Sequence, residues 1–341
     1  MIGNGNYMSN NSYPVAILKS DQTYELTISW TIHNSCNYKC SYCPASLNRG
    51  SSDWLNLEKA KIFIDRLEQR YIKNLGYKNI LISFSGGEPT LWKGFAALCE
   101  YIGLKGMRLA ITSNGSTSSK YWDKIAPFFD IIIFSFHSEH GNPTQFVENF
   151  KRLSENKNCV VPGVRLMMHP DPEKWIVSEK VSQLIKSSCE DYTLQAVRLV
   201  DGYDERPSPR EGYSDKQLQF LSKNSFIVNK TGTKNPNLPR IYFDSEVIFE
   251  DGHREELDEN KLLNKDMCNF EGWTCKIGFE QLFIKDNGEV YGGSCRIGGS
   301  YGNIKDPEEI KFPEKPVICN FKLCHCATDI RVSKTSPKFE S

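Results

Sequence analysis

Residues 25–44 read ELTISWTIHNSCNYKCSYCP. Within residues 25–32 apolar and polar residues alternate and β-branched residues are frequent, a pattern typical of a half-buried β-strand. Cys36, Cys40 and Cys43 follow with the spacing C-x3-C-x2-C, which places them on a loop directly after that strand. A strand that leads into a ligand-bearing loop is typical of α/β proteins, whose functional loops lie at the carboxyl ends of parallel strands.

The alternation of strand and helix continues along the chain. Further strand patterns occur at 79–85, 107–112, 130–136, 161–169 and 192–199. Helical patterns with one apolar face lie between them, at 60–71, 95–102, 121–128, 144–153 and 174–186. Strands that alternate with helices predict right-handed crossovers and a mainly parallel sheet. The fold class is therefore α/β, and six units fit a partial (β/α)6 barrel rather than the closed barrel of eight.

The alternation ends near residue 201, where the charged and proline-rich stretch 201–210 predicts a linker or covering loop. Two hairpins are predicted beyond it, one within 240–257 around a turn at Asp251–Gly252 and one at 279–291 around a turn at 286–288. We expect an N-terminal tail (1–24), the partial barrel (25–225), a bridging hairpin segment (226–266), a small domain rich in hairpins and loops (267–332) and a loose polar tail (333–341).

The composition argues against several classes of protein. The 341 residues include 42 Lys+Arg and 42 Asp+Glu, so no basic excess is available for nonspecific nucleic-acid binding. The sequence has no long apolar run that predicts a membrane span, and its first 13 residues lack the features of a signal peptide. We therefore expect a soluble, cytoplasmic protein, in which the 12 cysteines are better explained as metal ligands and core thiols than as disulfides.

Three thiolates as close as Cys36, Cys40 and Cys43 can hold one metal centre, which would be either zinc or an iron–sulfur cluster. Structural zinc requires four protein ligands, whereas three cysteines on a four-iron cluster keep one iron open for another molecule. His33 could provide a fourth ligand, but it lies within the predicted strand. Structural zinc and buried thiols are the alternatives that the spacing leaves open.

The cysteine motif resembles the signature of radical S-adenosylmethionine (radical SAM) enzymes, C-x3-C-x-aromatic-C, with Tyr42 at the aromatic position. Residues 85–89, SGGEP, follow the second strand and resemble the GGEP element of the same family. Paired glycines let a backbone approach a ligand closely, because no side chain intervenes. The resemblance implies a 4Fe-4S cluster on the three cysteines, S-adenosylmethionine on its open iron, and a cofactor site that includes Tyr42, Gly86, Gly87 and Glu88.

Polar residues occur at three further strand ends. Ser113 and Asn114 follow the third strand, Ser135 and His137 end the fourth, and Arg165 lies in the fifth. The resemblance implies contact with the cofactor for Ser113, Asn114, Ser135 and Arg165. We expect His137 to face the substrate as an acid or base. A solvated loop, a capping residue or a structural histidine is the alternative at each position.

A second group of cysteines lies in the last quarter of the chain. Cys275 and Cys295 flank the second predicted hairpin, and 319–326 contains a C-x4-C-x-C turn that can complete a metal cage. Zinc and iron–sulfur are both open on this spacing. The full group is Cys268, Cys275, Cys295, Cys319, Cys324 and Cys326. The other cysteines, Cys99, Cys159 and Cys189, are predicted to be core or surface thiols.

The stretch from Cys275 to Cys295 resembles the auxiliary-cluster half of the SPASM or twitch extensions that some radical SAM enzymes carry. A full SPASM domain has a further C-x2-C-x5-C-x3-C set, which this sequence lacks. One auxiliary 4Fe-4S cluster is therefore the simpler prediction, with Cys275 and Cys295 as the firmest ligands and Cys268 matching an upstream ligand of some relatives. Which of Cys319, Cys324 and Cys326 complete the ligand set stays open, as does a pair of three-cysteine clusters.

The resemblance implies the chemistry. An external one-electron reductant, of the flavodoxin or ferredoxin type, supplies the electron that cleaves S-adenosylmethionine, and the 5′-deoxyadenosyl radical abstracts a substrate hydrogen. We predict oxidative C–H modification of a peptide. Many peptide-modifying relatives carry an N-terminal leader-binding domain, and the 24 residues before the first strand lower this expectation without removing it, since the binder can be a separate protein. The alternative is a dehydrogenase or epimerase acting on a carbohydrate, aminocyclitol or nucleoside. A zinc-stabilised, non-enzymatic module and a simple electron-transfer protein are remote alternatives.

Overall fold

The structure is a computed structural model that describes residues 13–19, 24–155, 161–190, 192–201, 208–225, 227–229 and 245–339. Its strands are, in chain order, β1 Pro14–Lys19, β2 Leu26–His33, β3 Ile80–Gly86, β4 Arg108–Ser113, β5 Phe129–His137, β6 Val161–Met168, β7 Tyr192–Arg198, β8 Val200–Asp201, β9 Ser208–Pro209, β10 Ile227–Asn229, β11 Ser245–Phe249, β12 Arg254–Leu257, β13 Thr274–Cys275, β14 Gln281–Ile284, β15 Glu289–Tyr291, β16 Ser300–Asn303, β17 Val317–Ile318 and β18 Lys334–Thr335.

The α-helices are α1 Ala45–Asn48, α2 Leu57–Leu67, α3 Phe95–Leu104, α4 Ser119–Ile125, α5 Pro143–Ser154, α6 Pro172–Ser188, α7 Asp215–Lys223, α8 Glu259–Asn264 and α9 Ala327–Ile330. A π-helical segment, Glu68–Asn74, continues α2. Among the described helices none is long and apolar enough to cross a bilayer.

The main sheet has the strand order β10-β7-β6-β5-β4-β3-β2-β14-β15-β16. Strands β2 to β7 are six neighbouring parallel strands, each joined to the next by a segment that contains helix. All six predicted barrel strands and the helices between them are confirmed. The arrangement is a partial barrel of six β/α units, in which the carboxyl ends of the parallel strands share one edge.

The two faces of the sheet differ because successive strand residues point to opposite sides. On β2, Ile28 and Trp30 are fully buried among the helices, where Phe63 of α2 meets the Trp30 ring edge to face. Full burial of a large apolar side chain stabilises the fold by about 1.5–3 kcal/mol. Thr27 and Ser29 lie on the other face and are only half-buried. The polar residues of the alternating pattern therefore line the interior of the barrel.

The interior is closed at the amino edge of the central strands. The Tyr24 hydroxyl donates a hydrogen bond to Asp130 (2.8 Å), whose carboxylate also accepts one from Arg108 (2.7 Å). Tyr24 packs in one cluster with Leu81 and Ile131 from β3 and β5. The open part of the interior consequently faces the carboxyl edge, where the cysteine loop begins.

The second predicted hairpin forms as β14 and β15, but it is not confined to a separate small domain. β14 pairs in parallel with β2, with Gln281 opposite Thr27, and so extends the barrel sheet. Its turn lies beside the cysteine loop, since Asn34 donates a hydrogen bond to Asp286 (2.8 Å). At the opposite edge, the Tyr71 hydroxyl donates to the Gly278 carbonyl (2.6 Å). The C-terminal segment therefore packs along the whole height of the barrel.

A second sheet, with the order β12-β11-β1-β18-β13-β17, corrects two predictions from the sequence. Residues 14–19 and 334–335 were expected in tails, yet they form the paired strands β1 and β18. The side chains of Ser333 and Lys334 are buried. The turn at Asp251–Gly252 is confirmed, and it joins β11 to β12. The first part of the hairpin predicted within 240–257 (240–244), most of the predicted linker (202–207) and Cys159 lie outside the described residues.

Candidate active site

The three clustered cysteines lie on the loop that leaves β2 at the carboxyl edge. A turn closes between Cys40 and Cys43, where the Cys43 amide donates to the Cys40 carbonyl (3.0 Å). The Tyr38 amide lies 3.4 Å from Cys36 Sγ, and the Asn114 amide group lies 3.9 Å from the same sulfur. Hydrogen bonds to a ligating sulfur are one of the means by which a protein tunes an iron–sulfur centre.

This loop opens onto a cavity of about 470 Å³, a size typical of small-molecule sites. The cavity brings together ten of the residues predicted from the sequence: Cys36, Cys40, Cys43, Gly86, Gly87, Ser113, Asn114, Ser135, His137 and Arg165. Sequence reasoning missed the rest of the lining, which is Tyr38, Leu47, Asn48, Ser85, Thr112, Met167, Gln195 and Val197. Five of these, Ser85, Thr112, Met167, Gln195 and Val197, occupy inward positions on barrel strands. The alternation of side chains along each strand could have predicted them from the sequence.

The two glycines bring the loop after β3 against the cysteine loop. A Cβ on Gly87 would lie 2.0 Å from the Ser35 carbonyl oxygen, and one on Gly86 would lie 2.1 Å from the His33 carbonyl oxygen. Gly86 also has a φ of 130°, which residues with a side chain rarely adopt. The Gly87 amide donates to the His33 carbonyl at 2.8 Å. The glycines therefore permit backbone-to-backbone packing that fixes the cysteine loop.

Glu88 was expected to contact the cofactor, whereas the structure places its carboxylate at 0% exposure under the cavity. It accepts hydrogen bonds from the Thr90 amide (3.2 Å) and hydroxyl (2.7 Å), the Ser113 hydroxyl (2.9 Å) and the Asn114 amide (2.7 Å). Burial raises the pKa of Glu88, and these donors oppose that shift. Glu88 thus acts through Ser113 and Asn114, which it holds in the cavity wall.

His137 lines the cavity beside Cys40, with 3.5 Å between His137 Nδ1 and Cys40 Sγ. Burial, followed by the nearby His140, lowers the pKa of His137 to about 4, so the ring is neutral at neutral pH. Tyr42 stacks on it and makes a 2.7 Å hydrogen bond between its hydroxyl and His137 Nδ1. Tyr42 is therefore held against His137, and a neutral imidazole is suited to accept a proton rather than to donate one.

Glu139 is a residue that sequence reasoning missed. Its carboxylate accepts hydrogen bonds from the Ser41 amide (2.6 Å) and hydroxyl (2.8 Å) and from Lys174 (2.9 Å). Although burial acts to raise it, these donors lower the pKa of Glu139 to about 2. The contact ties the cysteine loop to the end of β5. Glu139 sits in a polar stretch that looks like a surface loop, so the sequence carries no signal for this role.

Arg165 lies in the cavity wall between Ser135 and Gln195, which are its register partners on the neighbouring strands. Within the described part of the chain its guanidinium has no carboxylate partner. Burial lowers the pKa of Arg165, but an arginine stays protonated at neutral pH. A half-buried cation without a counter-ion attracts an anionic group of a ligand.

The three thiols fit a polynuclear cluster better than a single zinc ion. Because Zn–S bonds are about 2.3 Å long, thiolates on one zinc lie within about 4.6 Å of one another. Among the described residues, Cys36, Cys40 and Cys43 do not form a set whose sulfur atoms all lie within 4.8 Å. Cys40, Glu139 and His140 do form such a set, but hydrogen bonds from Ser41 and Lys174 already engage Glu139.

A second cavity, of about 280 Å³, is lined by Cys275, Cys295, Cys319, Cys324 and Cys326. Five of the six cysteines predicted for an auxiliary centre are thus brought together. The sixth, Cys268, is fully buried in the adjacent core, where its carbonyl accepts a hydrogen bond from the Cys324 amide (2.9 Å). None of these thiols belongs to a described set close enough for one zinc ion. We call this the auxiliary cavity.

Buried polar residues hold the wall of the auxiliary cavity in place. Asp329 accepts hydrogen bonds from the Ser294 amide (3.2 Å) and hydroxyl (2.8 Å) and from the Cys295 amide (3.0 Å). Its carboxylate therefore fixes the loop that carries Cys295. Lys334 also lines the cavity, although the sequence placed it in a loose tail.

The two cavities lie at opposite edges of the barrel sheet. The turn of the β14–β15 hairpin meets the cysteine loop after β2, whereas Cys275 and Cys295 precede and follow that hairpin at its other end. The eight residues of β2 separate the two edges by roughly 23 Å at about 3.3 Å per residue. No described residue lines both cavities.

A parallel partial barrel whose first strand runs into C-x3-C-x2-C, packed against a Gly-Gly loop, defines an enzyme built to hold an iron–sulfur cluster at the carboxyl edge of its strands. Residues 30–161 match the Radical SAM superfamily, so this part of the chain is a radical SAM domain. Its cofactors are accordingly a 4Fe-4S cluster and S-adenosylmethionine.

Similar proteins include an S-adenosylmethionine-dependent nucleotide dehydratase of Fibrobacter sp. (strain UWH6), which is 29% identical over 231 residues, 62% of this chain and 65% of the relative. An Fe-coproporphyrin III synthase of Methanosarcina barkeri is 32% identical over 104 residues, 30% of this chain and 24% of the relative. Among solved structures, anSMEcpe with bound AdoMet aligns with a TM-score of 0.47 and 19% identity over 83% of this chain and 80% of that chain.

Proposed function

We propose that this enzyme abstracts a hydrogen atom from a small, hydroxyl-bearing substrate of the nucleotide or sugar class. The observation that carries the proposal is the convergence of the cysteine loop, the glycine loop and the polar strand ends on one cavity. When bound, the cluster and S-adenosylmethionine supply a radical that can abstract such a hydrogen. The chain supplies the binding site, the orientation and the exclusion of water.

The chain's own residues divide this work. Cys36, Cys40 and Cys43 would hold the cluster, and the packing of Gly86 and Gly87 on the cysteine loop would fix where it sits. Ser113 and Asn114 would present their polar groups to the cofactor in the positions set by Glu88. A site whose supporting hydrogen bonds are fully buried holds its groups with little freedom, which favours one orientation of the reacting hydrogen.

The substrate class is argued from the cavity wall. Ser85, Thr112 and Gln195 add hydroxyl and amide groups at inward strand positions, so the wall offers partners to a polyhydroxylated molecule. Arg165 adds a guanidinium that has no carboxylate partner among the described residues and that suits a phosphate or carboxylate. The Fibrobacter relative, a nucleotide dehydratase, supports the same class. The nucleoside or carbohydrate alternative raised by the sequence is therefore preferred for the substrate.

One observation favours a second candidate, oxidative modification. Five cysteines line the auxiliary cavity, and a second 4Fe-4S cluster held there could accept an electron released by the substrate. A dehydration leaves no net electrons to remove, whereas an oxidation needs such an acceptor. The peptide substrate predicted from the sequence stays a prediction, as does the flavodoxin- or ferredoxin-type reductant.

The test uses the full chain, reconstituted anaerobically with iron and sulfide and reduced with dithionite. Nucleoside triphosphates and sugar nucleotides deuterated on the sugar are compared with deuterated peptides, and deuterium in 5′-deoxyadenosine is measured by mass spectrometry. We expect transfer from a nucleotide or sugar nucleotide, and weaker transfer with Arg165→Gln. Transfer from peptides alone would overturn the proposed substrate class. The mass of the product then separates the two reactions, because dehydration gives a product lighter than the substrate by one water and oxidation gives one lighter by two hydrogens.

A further inference from the structure

Lys334 is a buried lysine in the wall of the auxiliary cavity, with a relative exposure of 2%. Its Nζ donates hydrogen bonds to the carbonyl oxygens of Asp329 (2.5 Å), Ile330 (3.0 Å) and Val332 (2.7 Å). Only an ammonium group has three N–H donors, so three carbonyl acceptors require the charged form. Lys334 therefore brings a fixed positive charge into the interior.

Among the described residues no carboxylate lies within ion-pair distance of this ammonium group, whose acceptors are all neutral carbonyls. The charge also lies 4.9 Å from the centre of the Phe270 ring. A buried cation is costly, so negative charge nearby stabilises it. The buried Asp329 carboxylate lines the same cavity, but hydrogen bonds from Ser294 and Cys295 already engage it. Lys334 lines the auxiliary cavity together with five cysteines.

The cysteines of that cavity supply the complementary charge when they bind metal as thiolates. Lys334 is the register partner of Cys275 across β13 and β18, so the two residues are direct neighbours. A fixed cation beside a cysteine favours its thiolate form, which is the form that a metal site needs.

We propose that Lys334 is a positioning residue that compensates the negative charge of the auxiliary cluster and so raises its reduction potential. The inference rests on the auxiliary cluster suggested under the proposed function. Reduction adds one electron and no proton to a thiolate-bound cluster, and a nearby fixed cation stabilises the more negative form. Net charge and hydrogen bonding around a cluster are known determinants of its potential.

The competing explanation is purely structural. The three carbonyls that Lys334 binds belong to the last turn of α9 and the residues after it, where a lysine also caps a helix. In that case, removing the side chain would lower the thermal stability and leave the cluster potential unchanged. The two explanations therefore differ in a quantity that can be measured without any enzymatic assay.

The experiment uses the full chain with Cys36→Ala, Cys40→Ala and Cys43→Ala, so that any remaining iron belongs to the auxiliary site. The probe is dithionite in a redox titration followed by electron paramagnetic resonance. Lys334→Met is compared with Lys334→Arg, which keeps the charge. The matched control is Lys276→Met, since Lys276 directly follows Cys275 but its side chain is 54% exposed and pairs with Glu280 at 3.8 Å.

We expect Lys334→Met to lower the midpoint potential by about 59 mV or more, which corresponds to at least a tenfold change in the one-electron equilibrium constant. Lys334→Arg should recover most of the shift, and Lys276→Met should show none because water screens its charge. An unchanged potential in Lys334→Met overturns the proposal, even if its melting temperature falls. If the triple-alanine chain binds no iron, the auxiliary cluster itself is absent and the proposed function loses its oxidative candidate instead.

Discussion

Replacing Glu88 with glutamine tests whether this buried carboxylate positions the cofactor site. The carboxylate accepts from both the Thr90 and the Asn114 backbone amides, one on each oxygen. A glutamine amide has one acceptor oxygen and one donor nitrogen, so in either orientation one of these buried N–H groups loses its acceptor. An unsatisfied buried donor costs about 1–3 kcal/mol.

If that cost falls on the position of Asn114, S-adenosylmethionine should bind about fivefold to about 150-fold more weakly. The assay is isothermal titration calorimetry of the reconstituted enzyme with S-adenosylmethionine, with urea denaturation of the same samples. Asp130→Asn is the matched control, because Asp130 is equally buried and hydrogen-bonded to Tyr24 and Arg108 at the opposite edge. The reasoning is refuted if Glu88→Gln binds S-adenosylmethionine like the wild type, or if the control weakens binding equally.

Three further substitutions test other parts of the structure. Gly87→Ala should lower the free energy of unfolding by about 1–3 kcal/mol and reduce the iron bound at the first site, because the alanine Cβ would lie 2.0 Å from the Ser35 carbonyl oxygen. A wild-type iron content of the variant would contradict this prediction. Burial lowers the pKa of Lys19 from 10.5 to about 8. Between these two pH values the unfolded state binds more protons than the folded state, so the free energy of unfolding of the wild type rises with pH by up to about 1.4 kcal/mol per pH unit. Lys19→Met should lose that slope in urea denaturation, and parallel curves would exclude the effect. Asp329→Asn should lose iron from the auxiliary cavity and keep the iron of the first site, because it weakens the hydrogen bond that holds Cys295. Mössbauer spectroscopy measures the two populations of iron, and equal loss from both sites would indicate general unfolding.

The barrel could be predicted because its signals are local. Each strand pairs with the next one along the chain, and residues such as Trp30 and Phe63 repeat with the periods of strand and helix. The carboxyl-edge rule then brought Asn114, Ser135 and Arg165 into one cavity, although they lie far apart in sequence. The geometry also refined the role of the glycines, since Gly87 packs against the backbone of the cysteine loop.

The strand pairings of the C-terminal segment and the roles of two charged residues could not be predicted from the sequence. The parallel pairing of β14 with β2 joins residues about 250 positions apart, and no local pattern specifies such a partner. Strand β18 has two residues, which is too short for a periodic signal. Lys334 and Glu139 look like surface charges in the sequence, and only tertiary packing places them against Cys275 and Ser41.

The pairing of β1 with β18 has a consequence for how the protein is made. The Lys19 amide donates a hydrogen bond to the Ser333 hydroxyl, 314 positions away, and Lys334 next to it pairs with Cys275. A domain can fold as it leaves the ribosome only once all of its partners have emerged. The six parallel strands whose carboxyl ends line the first cavity are completed by residue 198, whereas the hairpin turn that contacts the cysteine loop comes later. The auxiliary cavity gains its last wall with residue 334, so it cannot be complete before that residue has left the ribosome.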